Sequence, residues 1–198
     1  MNYLAHAYLS FNNPEILVGN MISDFVKGRK KFTYSSEIQK GITLHRAIDQ
    51  FTDDHRATQA AKLFFRPAYR LYSGAFIDIV YDHFLANDIN EFPSPEELVK
   101  FDKEVCEILE DHLTELPGNF QKILPYMKKY SWLTNYKYKA GIEKSFQGLV
   151  RKALYMDEST TAFSIFNKHY DELKNCYDKF FHEQKTFAAH ELSNLLID

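Results

Sequence analysis

The segment Gly41-Ile42-Thr43-Leu44-His45-Arg46-Ala47-Ile48-Asp49-Gln50-Phe51-Thr52-Asp53 holds an imidazole and two carboxylates, His45, Asp49 and Asp53, at i, i+4 and i+8. On a helix each step of four drifts only about 40°, so the three line one stripe. Leu44, Ile48 and Phe51 lie close to it, which turns it toward the interior or a cleft. The competing reading is an ordinary i,i+4 polar pair on a solvated face. A second segment, Phe76 to Leu85, is apolar nearly all round except for Asp78, Asp82 and His83. Such a helix belongs in the middle of a fold, and Asp78 and Asp82 share one of its faces. Buried carboxylates are costly unless paired, hydrogen-bonded or bound to metal. Two helices that each present His and Asp inward can build a metal site between them.

Asp24, between apolar neighbours near a helix end, and His6, inside Asn2-Tyr3-Leu4-Ala5-His6, are further candidates. A lone buried His is more often a satisfied core residue than a ligand. His55, His112, His182 and His190 stand in polar surroundings and read as surface residues, and His169 reads as a packing residue. Mixed His and carboxylate ligands suit Mn²⁺, Mg²⁺, Fe²⁺ or Zn²⁺, and the lack of thiolate argues against structural zinc. No P-loop, dinucleotide fingerprint, nucleophile elbow or His-Glu-x-x-His motif occurs.

The elements that must carry these groups are helices. With only 7 Gly and 6 Pro in 198 residues, breakers are few, and no run alternates strictly between apolar and polar. Periodicity predicts helices from about Pro14 to Val26, with Gly28 as the stop, and from a capping box at Ser36–Gln39 to about Asp53. Pro67 suits the first turn of a helix reaching Asn87, and Ser94-Pro95-Glu96-Glu97 opens one reaching Leu116. Further helices cover Phe120 to Tyr130, Ile142 to Tyr155 and Thr161 to Glu183. The expectation is an all-α, single-domain helical bundle over residues 1–198, without linker or repeat.

Composition supports a large core: 45% of residues are hydrophobic and 16% aromatic, with 17 Phe and 13 Tyr. A chain of this length buries roughly 70% of its unfolded surface. The net charge of −3 argues against nucleic acid as a partner, since phosphate backbones demand a dense basic surface. One local patch, Lys27, Arg29, Lys30 and Lys31, reads as a solvated loop or as a docking site. Cys106 and Cys176 stand far apart and read as two buried thiols in a reducing compartment. No run approaches the roughly 18 apolar residues of a membrane span, and the first ten residues lack a basic leader, so the expected location is cytoplasmic.

Five blocks together resemble the acyl carrier protein phosphodiesterases, also called acyl carrier protein hydrolases. They are Met1-Asn2-Tyr3-Leu4-Ala5-His6, then Gly19-Asn20 through Asp24-Phe25-Val26, then Gly41-Ile42 through Asp49 with Thr52-Asp53. Tyr81-Asp82-His83-Phe84-Leu85 is the fourth, and His169-Tyr170-Asp171-Glu172-Leu173 a weaker fifth. Order and spacing agree over roughly residues 1 to 180. The resemblance implies a fold distantly similar to the HD-type phosphohydrolases and an activity that prefers Mn²⁺, with Mg²⁺ or Fe²⁺ as alternatives. That activity removes 4′-phosphopantetheine from the serine of holo-acyl carrier protein.

Carried over block by block, the resemblance makes His6, Asp24, His45, Asp49 and Asp82 the candidate metal site. Asp24, His45 and Asp82 are the first choice of ligands, and Asp49 is a further ligand or an acceptor that fixes a neighbouring imidazole. Arg46 is expected at the phosphate, although it points about 100° from His45. His83 is the candidate acid for the departing serine oxygen. Some relatives carry a second His where this chain has Thr43, which cannot replace an imidazole ligand. Two other functions fit less of the pattern: a phosphohydrolase of a nucleotide or other small phosphate ester, and a helical protein that binds acyl carrier protein without cleaving it.

Overall fold

The computed structural model describes residues 2–197, and Met1 and Asp198, which the expected domain and the first block include, lie outside the described residues. All regular structure among the described residues is helical. The chain begins with α1 (Tyr3–Tyr8), a six-residue helix capped by the Asn2 side chain on the Tyr3 amide. Two residues with positive φ, Phe11 and Asn12, turn it into α2 (Pro14–Ile22). There Asn13 caps and Pro14 occupies the first turn, where its missing N–H costs nothing. The helix tightens into a 3₁₀ turn over Ser23–Phe25, and a second, Gly28–Thr33, follows from Gly28 at φ 57°.

Ser35, one residue before the expected capping box, caps α3 (Ser36–Asp54). α2 lies along α3 at very short range because two glycines face each other. A Cβ on Gly19 would meet the Ile38 carbonyl oxygen at 2.1 Å, and one on Gly41 would meet that of Ile16 at 2.3 Å. Only glycine permits that approach. It brings the α2 main chain against the ring of a residue one turn beyond Gly41, His45.

After α3 the structure departs from the sequence expectation. Residues Arg56–Tyr69 form α4, and Pro67 sits in its last turn instead of opening the next helix. Thr58, Ala61, Phe65 and Tyr69 form its buried stripe, whereas Leu63 and Pro67 are both exposed, so the hydrogen bond lost to Pro67 lies on the solvent side. Arg70 at φ 46° breaks the path, and α5 (Ser73–Ala86) starts afresh. As expected, α5 is central and buried on nearly every side.

Ser94 caps α6 (Pro95–Asp111) through the Glu97 amide. α7 (Gly118–Lys129), α8 (Trp132–Asn135) and α9 (Lys139–Lys152) follow, with α7 and α8 packed on α6 and α9 on α5. The expected helix from Thr161 to Glu183 is interrupted at His169, giving α10 (Thr160–Lys168) and α11 (Tyr170–Ile197). α11 packs against α3, α4 and α5, and α1 is held between α2 and α5. Aromatic rings fill the centre, with Phe65 stacked on Phe76 at 5.5 Å and Tyr81 on Phe180 at 4.9 Å. No helix among the described residues is long and apolar enough to cross a membrane.

Candidate metal centre

His6 from α1 and His45 and Asp49 from α3 meet where α1, α2 and α3 converge. The two imidazoles stack with centroids 3.8 Å apart and planes 15° from parallel. His6 Nε2 lies 3.1 Å from one Asp49 oxygen, and His45 Nε2 lies 3.1 Å from the other. The donor atoms of the three residues all lie within 4.8 Å of one another. Both histidines are buried, while the Asp49 side chain is 41% exposed, so the group opens toward solvent on the carboxylate side. Asp24, in the 3₁₀ turn after α2, faces His45 Nε2 at 3.3 Å from the rim.

The far side of each ring is held from α2 by Asn20. His6 Nδ1 contacts Asn20 Oδ1 at 2.8 Å, and His45 Nδ1 contacts the Asn20 main-chain oxygen at 2.7 Å. The sequence reading gives Asn20 no role. Its signal was a lone amide inside the apolar run Ile16–Ile22, where a polar side chain needs partners to be buried.

Charge at the site is unevenly shared. Burial, aided by the neighbouring His45, draws His6 down to about 4, so that ring is neutral near pH 7. Burial also pulls on His45, but Asp24 and Asp49 outweigh it and hold the ring at about 9. Burial alone would raise Asp49, yet its contacts with His45 and His6 keep it well below the carboxylate range. His45 likewise holds Asp24 low. Two carboxylates thus face one imidazolium and one neutral ring, and the site favours added positive charge.

The residues fit a divalent ion. Neither buried Nε2 makes an aligned hydrogen bond among the described residues, although both point at Asp49 oxygens. On the neutral His6 ring, an Nε2 left unsatisfied costs about 1–3 kcal/mol, while His45 meets its carboxylates only by carrying an extra proton. A cation between the two rings and Asp49 would remove that cost and take the place of the His45 proton, and the nitrogen and oxygen donors suit Mn²⁺, Fe²⁺ or Zn²⁺.

Not every expected residue joins this group. Asp82 stands apart, fully buried, with its oxygens accepting from the Leu4 amide at 2.8 Å and the Ala5 amide at 3.2 Å. It ties down the first turn of α1, the helix that carries His6, and burial raises its carboxyl to about 7. His83, expected beside the departing oxygen, is turned elsewhere. Its Nδ1 contacts the Tyr136 carbonyl at 2.7 Å and its Nε2 the Tyr170 hydroxyl at 2.9 Å, which occupies both ring nitrogens. Asp53 leaves the stripe and pairs with Lys62 of α4 at 2.7 Å.

Arg46 is exposed beside the site, with a long 3.4 Å contact from Nη2 to the Val26 carbonyl. Lys31 donates to Thr43 Oγ1 at 2.6 Å; its pKa is lowered, first by burial and then by the adjacent Arg46 charge. Lys27, Arg29 and Lys30 are exposed in the segment that follows Asp24 and leads to Lys31.

No solved structure matches the chain. Among curated proteins it is 29% identical over 181 residues to the acyl carrier protein phosphodiesterase of Photorhabdus laumondii, covering 91% of each chain. It is 30% identical over 182 residues to that of Yersinia enterocolitica, covering 91% of this chain and 94% of the relative. Against the Yersinia pestis protein of the same name it is 29% identical over 191 residues, covering 96% of this chain and 99% of the relative. The family model for acyl carrier protein phosphodiesterase matches residues 1–184, a span that holds every site residue described above, and the chain belongs to that family.

Proposed function

We propose that the chain is a metal-dependent phosphodiesterase that removes 4′-phosphopantetheine from the serine of holo-acyl carrier protein and leaves the apo form. The observation that carries this reading is the convergence of His6, His45 and Asp49, with both Nε2 atoms turned to the Asp49 carboxylate, in a member of this family. His6, His45 and Asp49 would hold the ion, Mn²⁺ by preference with Mg²⁺ or Fe²⁺ as alternatives, and Asp24 would complete the set from the rim. A divalent ion at this place acidifies water and offsets charge that builds on a phosphodiester.

The protein's own groups do the remainder. Asn20 and Asp49 hold the rings in place, and the rim cations Arg46 and Lys31 attract the anionic ester. In the reaction a water oxygen bonds to phosphorus, the bond from phosphorus to the serine oxygen breaks, and that oxygen takes up a proton. Acyl carrier proteins are acidic, and Lys27, Arg29 and Lys30 offer a complementary docking face beside the site. Free Cys106 and Cys176 accord with action in the reducing cytoplasm.

Two other readings compete: hydrolysis of a nucleotide or other small phosphate ester, and binding of carrier protein without cleavage. One incubation separates all three. Holo-acyl carrier protein is treated with the chain after chelation, and again after Mn²⁺ is restored, and its intact mass is recorded. The expected result is loss of the phosphopantetheine mass only with metal. An unchanged mass under both conditions contradicts the reading, with fast cleavage of small esters then favouring the first alternative.

A further inference from the structure

Nothing in the reaction as written says why two histidines should both present Nε2 to the ion. An imidazole carries its proton on either nitrogen, and the hydrogen bond made by one nitrogen decides whether the other is a free donor to metal. The atoms around Asn20 settle this choice for His6 and fix the Nδ1 proton of His45. Asn20 Nδ2 contacts the His6 carbonyl oxygen at 2.8 Å and Ser10 Oγ at 3.1 Å. Ser10 commits its one hydrogen to that same carbonyl at 2.8 Å, so toward Asn20 it can only accept. The end of the amide that faces Ser10 and the carbonyl must therefore be the amino end.

The opposite end, Oδ1, then faces His6 Nδ1 at 2.8 Å and can only accept. His6 must carry its proton on Nδ1, which leaves Nε2 bare. The Asn20 main-chain oxygen, 2.7 Å from His45 Nδ1, likewise fixes a proton on that nitrogen, so the second proton of the charged ring sits on Nε2, toward Asp24 and Asp49, and is the one an ion would displace. Asn20 and Ser10 are both fully buried, so water does not compete for these contacts.

We propose that Asn20 is a positioning residue that fixes the Nδ1 proton of both histidines, of His6 through its side chain and of His45 through its main chain, so that Nε2 is the nitrogen each ring offers to an ion. Ser10 locks the amide orientation. Only the link to metal affinity rests on the hydrolase reading; the tautomer of the metal-free chain does not. Asn20→Leu removes the side-chain acceptor but keeps the carbonyl, so the two rings should respond differently. Without that acceptor, His6 can move its proton to Nε2 and donate to Asp49. His45 should keep its Nδ1 proton.

Long-range ¹H–¹⁵N correlation on the metal-free, ¹⁵N-labelled chain reads the tautomers, and Mn²⁺ titration followed by electron paramagnetic resonance reads affinity. The expected result is His6 protonated at Nδ1 in the natural chain and mainly at Nε2 in Asn20→Leu. Mn²⁺ affinity should fall about 10–100-fold with that change. Ser10→Ala, a milder change that decides the matter should Asn20→Leu not fold, is expected to give mixed His6 tautomers and a smaller loss. Nε2 protonation of His6 in the natural chain overturns the proposal, as does an unaltered His6 in the variants. Equal disturbance of His45 in Asn20→Leu would reduce Asn20 to a general packing role. A natural chain with the expected tautomers that fails to bind Mn²⁺ would sink the hydrolase reading and leave the positioning role standing.

Discussion

Two imidazoles 3.8 Å apart cannot both carry charge without strong repulsion, and the site divides the labour: His6 stays neutral and His45 takes the proton between Asp24 and Asp49. A divalent ion would supply the charge that this proton supplies, which makes the three converging donors interdependent. His6→Ala, His45→Ala and Asp49→Ala should each weaken Mn²⁺ binding by more than about 100-fold, beyond the usual effect of losing an outer partner. Far-UV circular dichroism of the three should stay near that of the natural chain, because none of them caps a helix. Asp24→Ala, at an exposed rim position, should abolish hydrolysis with a smaller loss of metal affinity. Unchanged Mn²⁺ affinity in both histidine variants would remove the metal centre from this account.

At the scale of elements, α1 is too short to hold itself, since an isolated helix of six residues is unstable in water. Asp82 compensates by accepting from two of its first amides across 77 and 78 residues of sequence. Asp82→Ala should therefore destabilise the fold by about 2–4 kcal/mol, from two buried donors left unpaired. For a chain of this size that is a fall in Tm of roughly 2–4 °C per kcal/mol. Mn²⁺ affinity should drop with it, because His6 rides on α1. His83→Phe should also lower Tm, yet keep near-normal turnover once folded. A folded His83→Phe without activity would restore His83 as the acid. The contrast shows where the sequence was legible. Helical spacing found His45 and Asp49, and the apolar run around Asp82 marked α5 as buried. Spacing could not show that the partners of Asp82 are main-chain amides, because every residue has one. Nor could it separate Asp53 from its stripe, since the Lys62 that claims it sits on α4. That helix went unread because Pro67 looked like a beginning instead of a tolerated last turn. The glycines at 19 and 41 and the amide at 20 were visible as letters; their meaning came only from the crossing of α2 and α3.

The whole molecule is mildly acidic, with a formal charge of −3, yet Lys27, Arg29, Lys30 and Lys31 follow Asp24 within seven residues, and the Arg46 charge acts on Lys31. An acidic carrier protein would be steered to those cations and repelled elsewhere, mainly through its association rate. Reversing two of these charges, Lys27→Glu with Arg29→Glu, should raise KM for holo-acyl carrier protein and flatten its salt dependence, with kcat little changed. An unaltered salt profile would move docking to another face, with exposed Arg66 and Arg70 as the next candidates. Small phosphodiesters lack the protein surface that docks there and should turn over slowly, since remote binding energy helps orient the reacting group. Turnover of holo-acyl carrier protein in ¹⁸O water with Mn²⁺, followed by mass spectrometry of both products, shows which bond the protein breaks. The expected result is one ¹⁸O in the phosphate of the released phosphopantetheine and an apo protein with an unlabelled, intact serine, and no release by Asp49→Ala. Label in the serine hydroxyl, a dehydrated serine, or full release by Asp49→Ala would contradict it.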